Sequence, residues 1–123
     1  MAMVDSLGVC SFAHGGYGTP LLVKMLSAIT GGEWTMDKFM KTGERIFNLE
    51  KMFNLREGFA REDDNTPDRF FEEPLTKGLR RGSVIKRDKF KNMMDSYYLE
   101  RGWDRQKSVP QNDTLDKLRL LFD

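Results

Sequence analysis

Cys10 is the single cysteine and His14 the single histidine of the 123 residues, and both fall in the stretch DSLGVCSFAHGGYGT. A lone thiol has three uses: a small buried apolar residue, a nucleophile that needs a base, or one ligand of a metal cluster whose other ligands lie elsewhere. Taken by itself, the chain favours the buried role. One cysteine makes no internal disulfide, and an iron–sulfur cluster generally takes four thiolates, of which this chain offers one. With one histidine, neither a His-x-x-x-His zinc pair nor a Ser/His/Asp constellation with a second histidine in reserve can be built. His14 lies beside glycines and is expected to be a loop or capping residue.

Other groups have weaker chemistry. HGGYGT (14–19) has the glycines of an anion-cradling turn, but it lacks the Gly-Lys-Ser/Thr ending of a phosphate loop and follows no predicted strand. It is expected to be a flexible connector. Glu62, Asp63 and Asp64, and the pair Glu72 and Glu73, would have to converge on one point to hold a hard cation or to do acid–base work. Neighbouring acids in a charged loop ordinarily face water. Arg80-Arg81 and Lys86-Arg87-Asp88-Lys89 are likewise expected to be solvated surface.

The elements that must position these groups are almost all helical. Thr19 can cap a helix with Pro20 at its first position, and Leu21, Leu22, Met25, Leu26 and Ile29 then recur at helical spacing up to Gly31-Gly32. Thr35 can cap the next, longest helix, whose apolar face is Met36, Phe39, Met40, Gly43, Ile46, Phe47, Met52 and Phe53, toward Gly58. Gly43 costs about 1 kcal/mol relative to alanine inside a helix, which points to another backbone passing close by; a local break over 41–43 is the alternative. A third helix is predicted over 86–101, with Phe90, Met93, Met94, Tyr97 and Tyr98 inward and Gly102 as its stop. A short last helix should follow Asn112 or Asp113, with the stripe Leu115, Leu118, Leu121 and Phe122.

Between the two long helices lies REDDNTPDRFFEEPLTKGLRRGS (61–83), with at most one helical turn near 68–71. A loop of that length is either functional or laid across something larger. In 48–58 the charges alternate with Leu49, Met52, Phe53 and Leu55, so that helix is expected to be surrounded on several sides. Arg56 and Arg61 are placed to pair with Asp63 or Asp64, tying down the loop. The fold class is therefore all-α and multihelical, about four to five helices with a long charged loop, in a single domain over 1–123.

With 39% hydrophobic and 32% charged residues the composition is that of a globular chain. The 20 basic and 19 acidic residues leave a formal charge of +1, so no global field draws the chain to nucleic acid or an anionic membrane. No signal-peptide pattern stands at the start, and no apolar run approaches the roughly 18 residues of a membrane span. A cytoplasmic location is expected.

Three blocks resemble one known family. GERIFNLEKMFNLREGFAREDDNTPDRFFEEP (43–74), MMDSYYLERGWD (93–104) and DSLGVC (5–10) are similar, in family order, to the C-terminal region of the tungsten-containing aldehyde:ferredoxin oxidoreductases, the last to their D-x-x-G-[LV]-C segment. The resemblance implies a multihelical fold and an enzyme that oxidises aldehydes to carboxylic acids with ferredoxin as electron acceptor. It implies a tungsten (or molybdenum) bis-pterin cofactor, a molybdopterin, with a nearby [4Fe-4S] cluster. In that family the cysteine matching Cys10 is the fourth cluster ligand, and the segment carrying Asp5, Leu7, Gly8, Val9 and Cys10 lines one pterin, the aspartate hydrogen-bonding it.

The family's C-x-x-C-x-x-x-C motif, its other D-x-x-G segment and its catalytic glutamate and histidine do not occur in these residues. No catalytic residue is therefore assigned here, no cofactor is expected on this chain alone, and the chain alone is expected to be inactive. Met1-Ala2 ahead of Met3-Val4-Asp5 suggests a start placed just before the D-x-x-G segment. The expected partners are the N-terminal domains of the same enzyme and ferredoxin, with self-association of the isolated chain through its exposed apolar surface. The competing reading is a free-standing helical interaction module, or an inactive fragment without cofactor.

Overall fold

A computed structural model describes residues 1–121. In chain order the elements are α1 (Ala2–Ser6), α2 (Ser11–Thr30), α3 (Met36–Arg56), a 3₁₀ turn (Arg61–Asp63), α4 (Arg69–Glu72), α5 (Arg87–Glu100) and α6 (Asn112–Lys117). No strand occurs among the described residues beyond an isolated bridge between Trp103 and Pro110. The fold is all-α and multihelical, as expected. α4 is the single helical turn expected near 68–71; α1, about one turn, is too short to leave a periodic signature.

The chain divides into two compact units, Met1–Met52 with the chain from Leu115 on, and Phe53–Thr114. In the first unit the core is Met3, Val4, Leu22, Val23, Leu26 and Phe39, with Leu7, Val9, Tyr17, Trp34 and Ile46 half-buried around it. Gly43 lies within an unbroken α3, and a Cβ there would come 3.3 Å from Met3 Cβ and 3.7 Å from Met3 N. The small residue lets Met3 of α1 lie close against α3 at this point. Thr35 caps α3 by accepting the Lys38 N–H at 3.1 Å.

α2 begins at Ser11, well before Thr19, so the HGGY stretch is helical and not a flexible connector. Gly18 (φ 72, ψ 167) breaks the helical path there, and Pro20 stands in the first turn after the break, where its missing N–H leaves no bond unmade. His14 Nε2 meets Thr19 Oγ1 at 3.2 Å across the break and stacks edge-on against Tyr17.

A second small cluster in this unit joins Leu115, Leu118 and Leu120 with Met52. α6 stops at Lys117; Arg119 turns left-handed at φ 54, and the Leu120 N–H bonds the Leu115 carbonyl at 2.8 Å. This reversal puts Leu120 inside and leaves the expected Leu121 exposed. Phe122 lies outside the described residues.

The second unit is organised by Tyr98, which is fully buried. Its ring stacks on Trp103, with centroids 6.0 Å apart and an interplanar angle of 19°. Its hydroxyl donates to Asp64 Oδ2 at 2.8 Å and accepts from Arg61 Nη1 at 3.2 Å. Arg61 also pairs with Asp95 at 3.0 Å and donates to the Arg105 carbonyl at 3.0 Å. Of the expected partners of Arg61, Asp63 instead folds back onto the Ala60 N–H at 2.7 Å, while Asp64 shares the Tyr98 hydroxyl with Arg61. Arg56 instead meets Glu57 at the surface.

Elsewhere in this unit, Arg87 clamps α4 to the start of α5 through Asp68 at 2.9 Å and Glu72 at 3.0 Å, above the Phe71 ring. Glu72, Arg87 and Asp68 are thus exposed but paired. Met93 and Tyr97, expected inward, are exposed on α5, and Leu49 and Phe53 are exposed on α3. In the region 48–58, Asn48 is fully buried and Met52 and Leu55 are half-buried, while Leu49 and Phe53 face outward.

Candidate functional site

The residues singled out at the start of the chain form one turn between two helices. α1 ends by a left-handed reversal at Gly8 (φ +67): the Gly8 N–H bonds the Asp5 carbonyl at 3.0 Å and the Val9 N–H bonds the Val4 carbonyl at 3.4 Å. Such a reversal satisfies the last carbonyls of a helix, and glycine enters it without the Cβ penalty. Val9 then turns inward beside Leu7, both packed on the core around Val4. Asp5, Gly8 and Cys10 face outward.

Cys10 occupies the N-cap position of α2, in extended conformation (φ −62, ψ 122). Its thiol is exposed, which corrects the buried role favoured by the isolated sequence. Periodicity could not reveal this, because the cysteine stands before the helix and outside its apolar stripe. The backbone amide of Ala13, and after it that of Phe12, in the first turn of α2 lower its pKa below the ordinary value of 9.0. The first-turn amides of a helix have no partner within it and favour a negative charge. A thiolate is the form that binds metal.

Asp5 lies beside it: the Ser11 hydroxyl donates to Asp5 Oδ1 at 3.3 Å, joining the last turn of α1 to the first of α2. Sequence reasoning passed over Ser11; the signal was a hydroxyl immediately after the cysteine, where the first turn of a helix would place it. Around Gly8 a Cβ would meet nothing within 4 Å. The same holds at Gly15 and Gly16. His14, on the next turn, is held by Thr19 and Tyr17.

The donor set suits one corner of a cluster. Cys10 offers an exposed thiol on a pre-shaped turn, while among the described residues no group of three or more His, Cys, Asp or Glu side chains converges to hold a metal ion. A four-thiolate cluster therefore needs the remaining ligands from outside these residues. The glycine-rich stretch is not an anion cradle, since Gly15 and Gly16 are inside α2. Nor do Glu62, Asp63 and Asp64 converge, because Asp63 bonds the Ala60 N–H and Asp64 the Tyr98 hydroxyl.

The family model described as aldehyde ferredoxin oxidoreductase, domains 2 and 3, matches residues 1–120. The chain belongs to this family. It is 37% identical to the tungsten-containing aldehyde ferredoxin oxidoreductase of Pyrococcus furiosus over 97% of the chain and 19% of that protein. It is also 37% identical to the enzyme of the same name from Pyrococcus horikoshii, over 89% of the chain and 18% of that protein. Among solved structures, the active site complex BamBC of benzoyl coenzyme A reductase, in complex with 1,5-dienoyl-CoA, is similar to it. There the TM-score is 0.64 with 28% identity, over 80% of this chain and 13% of that one.

The chain thus corresponds to a C-terminal region of the tungsten-containing enzymes and spans about a fifth of the curated relatives it matches. No helix among the described residues is long and apolar enough to cross a membrane.

Proposed function

We propose that the chain is the C-terminal helical segment of a tungstopterin iron–sulfur oxidoreductase that oxidises aldehydes to carboxylic acids and passes electrons to ferredoxin in the cytoplasm. Within it, Cys10 is the fourth ligand of the [4Fe-4S] cluster, and Asp5, Leu7, Gly8 and Val9 line one pterin. The single observation that carries this is the exposed, amide-stabilised Cys10 thiol on the turn closed by Gly8, in a chain whose family is that of the tungsten-containing enzymes.

When bound, the tungsten centre supplies the oxidising chemistry and the cluster relays electrons. This chain's residues hold and orient. The N–H groups of Ala13 and Phe12 favour the thiolate form of Cys10, lowering its pKa from the ordinary 9.0. Ser11 holds the Asp5 carboxylate in place as a hydrogen-bond acceptor for a pterin N–H. Because Leu7 and Val9 turn their side chains to the core, their contribution to a pterin is backbone and shape. Gly8 leaves open space where a flat ring can approach.

Three features support a missing covering partner on this face, and the other domains of the same enzyme fit that role. Phe12, two residues after the cysteine, is 95% exposed. Gly15 and Gly16 are helical glycines with open space above them, each costing about 1 kcal/mol relative to alanine with no close neighbour among the described residues to explain it. Leu21, Met25 and Ile29 form an exposed apolar ridge along α2.

The test is iron analysis of the chain produced anaerobically together with the N-terminal domains. About four irons per enzyme, lost or reduced in Cys10→Ala, is the expected result. Unchanged iron in Cys10→Ala would remove Cys10 from the ligand set.

A further inference from the structure

In the second unit the segment after α4 is a built loop. The Leu75 N–H bonds the Ser83 carbonyl at 3.1 Å and the Gly82 N–H bonds the Leu75 carbonyl at 2.7 Å, closing its stem. Two further bonds, Arg81 N–H to the Gly78 carbonyl at 3.1 Å and Ser83 N–H to the Arg80 carbonyl at 3.0 Å, shape the tip. Gly78 (φ 83) and Gly82 (φ 82) supply the left-handed turns it needs. The Ile85 N–H then ties the stem to the Phe70 carbonyl at 2.9 Å.

The loop displays one fully exposed apolar side chain together with three cations. Leu79, at the tip, is fully exposed among the described residues. Around it, 75–83 carries Lys77, Arg80 and Arg81 and no acid, and all three cations are exposed. Arg56, Arg61 and Arg87 each have a carboxylate partner, whereas none of these three has an ion pair among the described residues. The chain as a whole has a formal charge of only +1, so any electrostatic attraction it exerts must be local, and this loop is a concentrated source.

We propose that this loop is the docking element for an acidic protein electron carrier. Leu79 enters an apolar depression on the carrier, and Lys77, Arg80 and Arg81 face the carboxylates around it. The proposal rests on the electron-acceptor reading above and names the surface used. One apolar anchor within a ring of like charge suits a small, fast, steered encounter, the low-area class to which redox contacts belong. A permanent domain interface would be larger and more apolar.

The experiment titrates the 123-residue chain with an acidic ferredoxin by NMR or calorimetry. Wild type should bind, and the affinity should fall about tenfold or more between about 20 mM and about 300 mM salt. K77E/R80E/R81E should weaken binding at least about tenfold at low salt, and Leu79→Ala about threefold, both with unaltered far-UV circular dichroism. The control K41E/R45E on α3 should change it less than about twofold.

No wild-type binding at low salt, or equal binding by the loop variant, would overturn the proposal. So would loop-dependent binding to phosphatidylglycerol vesicles or single-stranded DNA in place of the ferredoxin. A complete enzyme that reduces a viologen dye but never ferredoxin is a different outcome: it overturns the electron-acceptor reading itself and the proposal with it.

Discussion

The Arg61 guanidinium lies 4.6 Å from the centroid of the Tyr98 ring and donates to that ring's hydroxyl from 3.2 Å. One cation thus holds the aromatic face and the polar tip of the same residue, while Asp64 accepts the hydroxyl proton. Tyr98→Phe should cost about 1–2 kcal/mol, because it leaves the Asp64 acceptor short of a donor. Arg61→Ala should cost about 2–3 kcal/mol, since it also removes the half-buried pair with Asp95. Urea unfolding of both variants and of the double variant measures this, with a double-variant loss smaller than the sum of the two.

Burial, and after it the hydrogen bond to Asp64, pushes the Tyr98 hydroxyl up to about 12 from its ordinary 10.0. The folded chain therefore holds this proton more tightly than the unfolded chain. The stability it contributes is complete below pH 10 and is lost as pH rises from about 10 through about 12, on the order of 2 kcal/mol in all. Unfolding free energy followed over that window should fall more steeply for wild type than for Tyr98→Phe. Parallel curves would refute the assignment.

Cys10 should alkylate as a lowered-pKa thiol. The iodoacetamide rate plotted against pH should reach its half-maximum below the ordinary thiol value of 9.0, because the Ala13 and Phe12 amides stabilise the thiolate. Ala13→Pro removes the larger of those two donors and should move the midpoint upward, provided circular dichroism shows α2 intact.

Glycine positions separate two kinds of constraint. At Gly43 an added methyl meets Met3 Cβ at 3.3 Å, so Gly43→Ala should be nearly neutral, the helix propensity gain offsetting the contact. Gly43→Leu should cost about 1–3 kcal/mol. At Gly102 (φ +65) a Cβ would collide with the Thr114 hydroxyl, and Gly102→Ala should cost more than Gly58→Ala, whose turn (φ +97) opens onto space. Thermal unfolding of the pair orders them.

The exposed ridge of Leu21, Met25 and Ile29 should make the isolated chain self-associate. Light scattering across micromolar concentrations should show mass rising with concentration, and L21K/I29K should suppress it. A wild-type chain monodisperse as a monomer would count against an uncovered ridge.

Much of this architecture was legible before any coordinates. Thr35, the Gly43 approach and the Gly102 stop follow from capping and the cost of glycine, which are local; of the expected α3 stripe Phe39 is buried, but Met36, Met40 and Phe53 are exposed. What escaped was decided by tertiary contact or by geometry at helix ends. Arg61 found Asp95, thirty-four positions away along the chain, while the nearer Asp63 bonded its own turn. Leu120 displaced Leu121 because a non-glycine residue, Arg119, took the left-handed reversal. At the candidate site the residue types were visible, but the direction of the Cys10 side chain was not, since an N-cap obeys no apolar period.

The break at Gly18 has one more consequence. In an uninterrupted helix each residue advances about 100° around the axis, so the bearing of Cys10 would be locked to that of Leu22, Val23 and Leu26. Core packing would then dictate where the thiol looks. With Gly18 out of helical register, the bearing of Cys10 in the first segment of α2 is set separately from that of the core residues in the second.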